Sequence, residues 1–279
     1  MQLFVNEKLL YNSIIAIICS IVLIFSNLIT VLQVNGITSK MTHKPLVLSV
    51  ETSGRTGSVA IAKGDKILEI QQFSAPMKHS AELFPRLKQM LQDNNYTPMQ
   101  IEHVYLSIGP GSFTGLRIAT TLAKMMHLAN NNVKIVAVDT LDIIAANADL
   151  YIQTCPDLDI NNIAVILDAK RGRFFAAAYQ KTPTGWEKII DDCLISAKQF
   201  ILKLDKQQPV WILGEGLVYY SDDFKTDNIT IMDEKFWYPS AEKLHSIGYN
   251  KACQGQFDNA ETLAPAYLCG PQAEKKRSK

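Results

Sequence analysis

From Pro45 onward the chain alternates between apolar runs and short polar breaks in a repeated order. Apolar and β-branched runs predict strands near 46–52, 57–63 and 66–73, with Gly64-Asp65 as the hairpin turn between the last two. A helix is expected after Ser80, with Leu83, Leu87, Met90 and Leu91 on one face. Pro85 belongs close to its start, because an interior proline removes a hydrogen bond. Asp93-Asn94-Asn95 and Pro98 end it. A buried strand at 104–108, a long helix over 113–129, a strand at 134–138 and a short helix from Thr140 to about Ala148 follow.

Residues 150–162 are polar and irregular and read as a connection, after which the same order begins again. Strands are expected at 163–168, 173–180 and about 186–190, a helix at 196–204, a strand at 210–213 and a helix at 240–253. A three-stranded meander followed by α/β crossovers, met twice, predicts an α/β protein of two ribonuclease-H-like halves. Their expected limits are 41–150 and 151–270, with a basic tail at 271–279. This is the layout of the actin, Hsp70 and sugar-kinase (ASKHA) superfamily.

The first 40 residues break the pattern. No charged residue stands between Lys8 and Lys40, and 14–32 is almost wholly apolar. That length is near the roughly 20 residues a membrane helix needs. Taken alone the stretch reads as an anchor or an uncleaved signal. The expectation set against this is that Met41, just before the first strand, is the physiological start and that 1–40 is an upstream extension. A membrane partner follows only if 1–40 is real.

The strand at 104–108 and the helix at 113–129 are joined by Gly109-Pro110-Gly111-Ser112-Phe113-Thr114-Gly115-Leu116-Arg117. Two glycines and a proline permit a sharp bend and close backbone approach, and Ser112 or Thr114 can cap the helix. A helix start also attracts anions, which raises a phosphate site. The spacings argue against one. Five residues separate Gly109 from Gly115 where a P-loop needs four, and Leu116-Arg117 follow instead of Lys and Ser or Thr. Gly111 to Gly115 is one residue too long for the dinucleotide fingerprint. A tight packing turn is the plainer reading.

As a whole string, GPGSFTGLR resembles the hallmark of the TsaB (YeaZ) family, a component of the machinery that makes threonylcarbamoyladenosine in tRNA. Asp139-Thr140-Leu141 after a strand, Gly214-Glu215-Gly216 after Trp211-Ile212-Leu213, and the ending Pro265-Ala266-Tyr267-Leu268 with Glu274-Lys275-Lys276 are similar to that family as well. The resemblance covers about 46–276. It implies a non-catalytic paralogue of TsaD (Gcp-like), inactive alone, that activates TsaD as a heterodimer. TsaD transfers a threonylcarbamoyl group from threonylcarbamoyl-AMP to N6 of adenosine 37 in tRNAs reading ANN codons. The ATPase TsaE joins the pair, tRNA is met indirectly, and a homodimer is possible. The resemblance also implies pairing through the helices near 80–93 and 113–129 as a four-helix bundle. His79, Leu83, Leu87, Leu116, Ala119, Ala123 and Met126 are the candidate interface residues, and Ala123→Glu is expected to abolish partner binding with the fold intact.

In the superfamily each half ends its first strand with an acid, and the two acids flank a nucleotide's phosphates and magnesium. The matching positions are Glu51 and Asp168. Two carboxylates in a cleft suit magnesium, whereas the plainer alternative is a solvated or capping acid at each strand end. Glu51 departs from the usual Asp, and the turn after Asp168 carries Lys170, Arg171 and Arg173 where a phosphate loop wants small residues. The region reads as vestigial. That basic turn raises RNA contact as another reading, although Phe174 and Phe175 fall inside a strand and suit a core. TsaD places a pair of metal-binding histidines on the helix near 80–93, but here no second histidine follows His79 before its end. No Ser-His-Asp set, Cys-His pair or H-E-x-x-H supports hydrolysis. No catalytic residue, metal ligand or cofactor is therefore expected.

Composition adds limits. The chain has 279 residues, of which 47% are hydrophobic and 20% charged, as a globular protein of one or two domains requires. A net charge of +1 gives no bulk field toward nucleic acid or membrane. Five cysteines with no C-x-x-C pair read as free thiols in a reducing, cytoplasmic compartment. The remaining alternatives are an ATP-dependent small-molecule kinase of the superfamily and a membrane-anchored binding protein.

Overall fold

Two five-stranded sheets share one strand order. In a computed structural model describing residues 43–73 and 79–267, β1 (Leu46–Glu51), β2 (Ser58–Lys63), β3 (Lys66–Gln72), β4 (His103–Gly109) and β5 (Lys134–Asp139) form the first, ordered β3-β2-β1-β4-β5. The second is built from β6 (Asn162–Asp168), β7 (Arg173–Thr182), β8 (Gly185–Ser196), β9 (Val210–Leu213) and β10 (Ile229–Ile231), ordered β10-β9-β6-β7-β8. In each, the first three strands form an antiparallel meander and the last two add in parallel beside the first. The fold is the two-lobed α/β arrangement of the ASKHA superfamily, as the repeated pattern predicts.

The helices are α1 (His79–Asp93), α2 (Phe113–Ala129), α3 (Thr140–Ala145), α4 (Asn147–Thr154), α5 (Ala197–Lys203), α6 (Leu217–Tyr220) and α7 (Ala241–Cys253). Side chains on a strand alternate between faces. Leu46, Leu48 and Val50 of β1 join Val104, Leu106, Ile135 and Ala137 in a core with Leu83, Leu87, Met90 and Leu91 of α1 and Ala119, Leu122 and Ala123 of α2. On the opposite face, Ser49 and Tyr105 meet His245 of α7. Leu141, Ile144, Ala145 and Ala148 of α3 and α4 belong instead to the core of the second sheet, with Ile166, Phe174, Phe200 and Leu213. The segment joining the halves is thus part of the packing that holds the second sheet.

Differences from the expected elements have local causes. The connection expected over 150–162 begins as helix, because α4 runs to Thr154. β8 extends to Ser196, past the 190 expected; Asp191 and Asp192 interrupt the apolar pattern, but at the sheet's edge they stay partly exposed. β10 and α6 are too short to show a period. Pro85 is the seventh residue of α1, further in than the helix start expected for it. Residues 1–42 and 268–279, with the proposed start at Met41, the apolar run and the basic tail, lie outside the described residues. Among the described residues no helix is long and apolar enough to cross a membrane.

Candidate functional site: a sealed strand end and an exposed helix pair

Three chain segments converge at the carboxyl ends of β1 and β4. Gly109-Pro110 is a cis peptide bond, and Gly109 has φ 120°, a region that favours glycine. Ser112 caps α2, its Oγ accepting from the Gly115 amide at 3.2 Å. The turn after β1 is laid against this loop. The Ser112 amide donates to the Ser53 carbonyl at 2.7 Å, and Thr52 Oγ1 donates to the Gly115 carbonyl at 2.8 Å. A Cβ on residue 111 would stand 2.5 Å from the Ser53 carbonyl oxygen, and one on residue 115 would collide with the Thr52 carbonyl. Glycine is required at both places because another backbone fills the space.

That packing fixes the role of Glu51. It is fully buried, and Oε1 accepts from the Ser53 amide at 2.6 Å and from Ser53 Oγ at 2.5 Å. Val50 pairs with Leu106, so Ser107 stands beside Glu51 on the neighbouring strand. Burial raises the carboxyl's pKa, partly opposed by the hydrogen bonds from Ser53. Oε2 has no hydrogen-bond partner among the described residues. A buried carboxyl whose Oε1 is already taken by its own turn is a poor magnesium ligand. Asp168, the other superfamily acid, accepts from the Lys170 amide at 2.7 Å and from Lys170 Nζ at 2.6 Å. Both acids are engaged within their own turns. Among the described residues no group of three or more His, Cys, Asp or Glu side chains could hold a metal.

The candidate interface residues divide. Leu83, Leu87, Leu116, Ala119 and Ala123 are buried in this chain's own core, which corrects their expected placement at a partner surface. A helix lying on its own sheet buries its small-residue stripe there. Met126 is half-buried against that core. His79 opens α1, but its side chain lies outside the described residues. Thr120 is buried too and donates to the Leu116 carbonyl at 2.8 Å.

Other residues face outward. Phe84 on α1 is 52% exposed, and Phe113, Met125 and Leu128 on α2 are 45%, 58% and 81% exposed. Phe84, Phe113, Arg117, Ile118, Thr121 and Met125 line a depression of about 380 Å³ between the helices. Arg117 lies over the Phe113 ring at 3.7 Å, and its Nε donates to Tyr267 OH at 3.0 Å. At Tyr267 the segment after α7 therefore lies beside this apolar surface.

A second cluster, which the sequence reading missed, forms where turns from both halves meet. Arg55, after β1, donates to Tyr219 OH at 2.6 Å. Glu215 lies near Arg55, Lys170 and Asp168; burial raises its pKa, and Oε2 has no hydrogen-bond partner among the described residues. Arg55 and Tyr219 are 164 positions apart, so no local motif could have joined them.

Comparison with known proteins agrees with this architecture. Residues 74–215, just over half the chain, match the family model for TsaD, tRNA N6-adenosine threonylcarbamoyltransferase. A tRNA threonylcarbamoyladenosine biosynthesis protein TsaB of Bacillus subtilis (strain 168) is 28% identical over 234 residues, spanning 82% of this chain and 96% of the relative. The TsaB protein of Escherichia coli (strain K12) is 23% identical over 232 residues, spanning 82% of this chain and 97% of its own. Among solved structures, YeaZ from Pseudomonas aeruginosa superposes with a TM-score of 0.68 at 22% identity, covering 80% of this chain and all of that one. With the repeated sheet order and the glycine loop seated on the β1 turn, these matches establish that the chain belongs to the TsaB (YeaZ) family, within the wider group described by the TsaD model.

Proposed function

We propose that this protein is the non-catalytic partner of a TsaD-type transferase in forming N6-threonylcarbamoyladenosine at position 37 of ANN-reading tRNAs. A role in that tRNA modification follows from family membership. The observation that carries the partner role is the exposed apolar surface on α1 and α2, centred on Phe84, Phe113 and Met125. Contiguous exposed apolar residues of this kind mark protein–protein contacts. TsaD is the proposed occupant, as a heterodimer, with TsaE joining through that complex in the cytoplasm. The halves at 41–150 and 151–270 are the proposed domains. The turn after β1 supports a non-catalytic role, since Glu51 is folded back on Ser53 and the glycine loop is packed against that turn.

The test combines the purified chain, the TsaD-type protein of the same cell, threonylcarbamoyl-AMP and an unmodified tRNA transcript. Nucleoside mass spectrometry should find the modified adenosine only when both proteins are present. Equal product from the TsaD-type protein alone would reject the reading. Titration calorimetry with magnesium-ATP should show no micromolar binding to the isolated chain; binding abolished by Asp168→Ala would favour a kinase instead.

A further inference from the structure

The hairpin joining β6 and β7 has an unusual backbone. Lys170, Arg171 and Gly172 all lie in the left-handed region, with φ of 69°, 59° and 68°. Gly172 suits that conformation, whereas two long L-side chains in succession do not. Asn-Gly would make such a turn without strain. The chain instead keeps cations at the tip. Lys170, Arg171 and Arg173 are all exposed. Lys170 is held by Asp168, while Arg171 has no hydrogen bond or ion pair among the described residues.

A second turn brings another cation to the same place. Arg55 is exposed and lies 5.8 Å from the centre of the Tyr219 ring, to whose hydroxyl it donates. Arg55 and Lys170 feel each other's charge, and Glu215 lies near both. The acids facing these cations are Asp168, already engaged by Lys170, and Glu215, whose charge burial disfavours. Exposed aromatic surface adjoins them, with Tyr219 58% and Tyr238 37% exposed.

Cations on separate turns suit a ligand with repeated phosphates, and exposed aromatic rings beside them suit the face of a base. A single phosphate or an acidic peptide would leave the rings unexplained. We propose that the 170–173 hairpin tip, with Arg55 and Tyr219, is a direct contact surface for the sugar–phosphate backbone and an unpaired base of tRNA. This rests on the tRNA-modification reading and deepens it, because tRNA then touches this chain as well as its partner. The turn's strain has a use on this account, since it holds two cations at the outermost point of the hairpin.

The test measures binding of an unmodified tRNA transcript to the full chain, alone and with its TsaD-type partner, at several salt concentrations. Arg171→Glu leaves the core untouched and should weaken binding about fivefold or more, flattening the logarithmic salt slope by about one unit. Tyr219→Ala should weaken binding with little change in that slope. The double change Lys170→Asn with Arg171→Gly relieves the turn, so it should melt higher than the parent yet bind tRNA more weakly. Unchanged tRNA affinity and salt slope in folded Arg171→Glu would overturn the proposal. If the parent chain supports modification while Arg171→Glu binds tRNA normally, only the surface fails; if the parent supports none, the functional reading fails with it.

Discussion

Thr52 and Gly115 are locked together from both sides. Thr52 Oγ1 donates to the Gly115 carbonyl at 2.8 Å, while the Thr52 carbonyl occupies the position a Cβ on residue 115 would take. The obstacle is backbone, so no side-chain rotation relieves it. Gly115→Ala is expected to destabilise the protein by about 2–4 kcal/mol, from displacement of the β1 turn or the start of α2. Thr52→Val removes only the hydrogen bond, at about 0.5–1.5 kcal/mol, because the Gly115 carbonyl remains in the helical ladder of α2. Denaturant unfolding of both variants checks the order; a Gly115→Ala protein as stable as the parent would refute the close seating of the loop.

Glu51 gives a pH-dependent prediction. Its pKa is raised in the folded state, so the folded protein retains a proton that the unfolded chain releases. Its contribution to stability is fully present below the unfolded value near 4.5 and declines as pH rises toward the folded value. Glu51→Gln keeps the oxygen that accepts from Ser53 and places an amide donor where Oε2 has no partner. The variant should gain stability over the parent, and the gain should grow between pH 4.5 and 7.5. Melting curves at those two pH values decide; a constant difference would mean that Glu51 is ionised when buried.

Two histidines act in the opposite direction. His103 and His245 are buried and held near pKa 4, chiefly because burial disfavours their charged forms. Around His103 lie Glu102, His43 and Lys134, and Asp65 lies near His245. The unfolded chain takes up protons at these sites below about pH 6.5, so their share of stability is complete above that pH and is lost as pH falls toward 4. Each can contribute a slope of up to about 1.4 kcal/mol per pH unit. His245→Phe preserves stacking on Tyr105, now 5.8 Å between ring centres, and should flatten the acid limb by one site. An unchanged acid limb would show that His245 is already protonated in the fold.

Most of the architecture was legible because each central strand is a continuous apolar run ended by a turn residue. The 104–108 run became β4, and 163–168 became β6 with one residue more. What stayed hidden depends on contacts far apart in sequence. Lys188 on β8 reaches Asp139 at 3.4 Å, Asp142 at 2.9 Å and Asp192 at 2.6 Å, and only the last is within one helical turn of it in number. The pattern on α2 was ambiguous for another reason. Its apolar residues cover about half the circumference, and an amphipathic stripe alone does not say which edge lies on the sheet. The small residues Ala119 and Ala123 take the inner side, leaving Met125 and Leu128 outside.

That division changes which substitutions test the partner surface. Ala123 has no exposure, so Ala123→Glu would bury an unpaired carboxylate in the chain's own core and should unfold the protein at a cost above about 4 kcal/mol. Phe84 and Met125 stand 52% and 58% exposed beside the same depression. Phe84→Glu and Met125→Glu should each change stability by no more than about 0.5 kcal/mol. In complex with the TsaD-type protein, each would bring a charge into an apolar contact, and affinity should fall tenfold or more, about 1.4 kcal/mol. Thermal melts separate loss of fold from loss of binding, and a titrated pull-down gives the affinity. Two folded glutamate variants that bind the partner as tightly as the parent would remove this face as the interface, while a folded Ala123→Glu would show that α2 does not sit on its sheet as described.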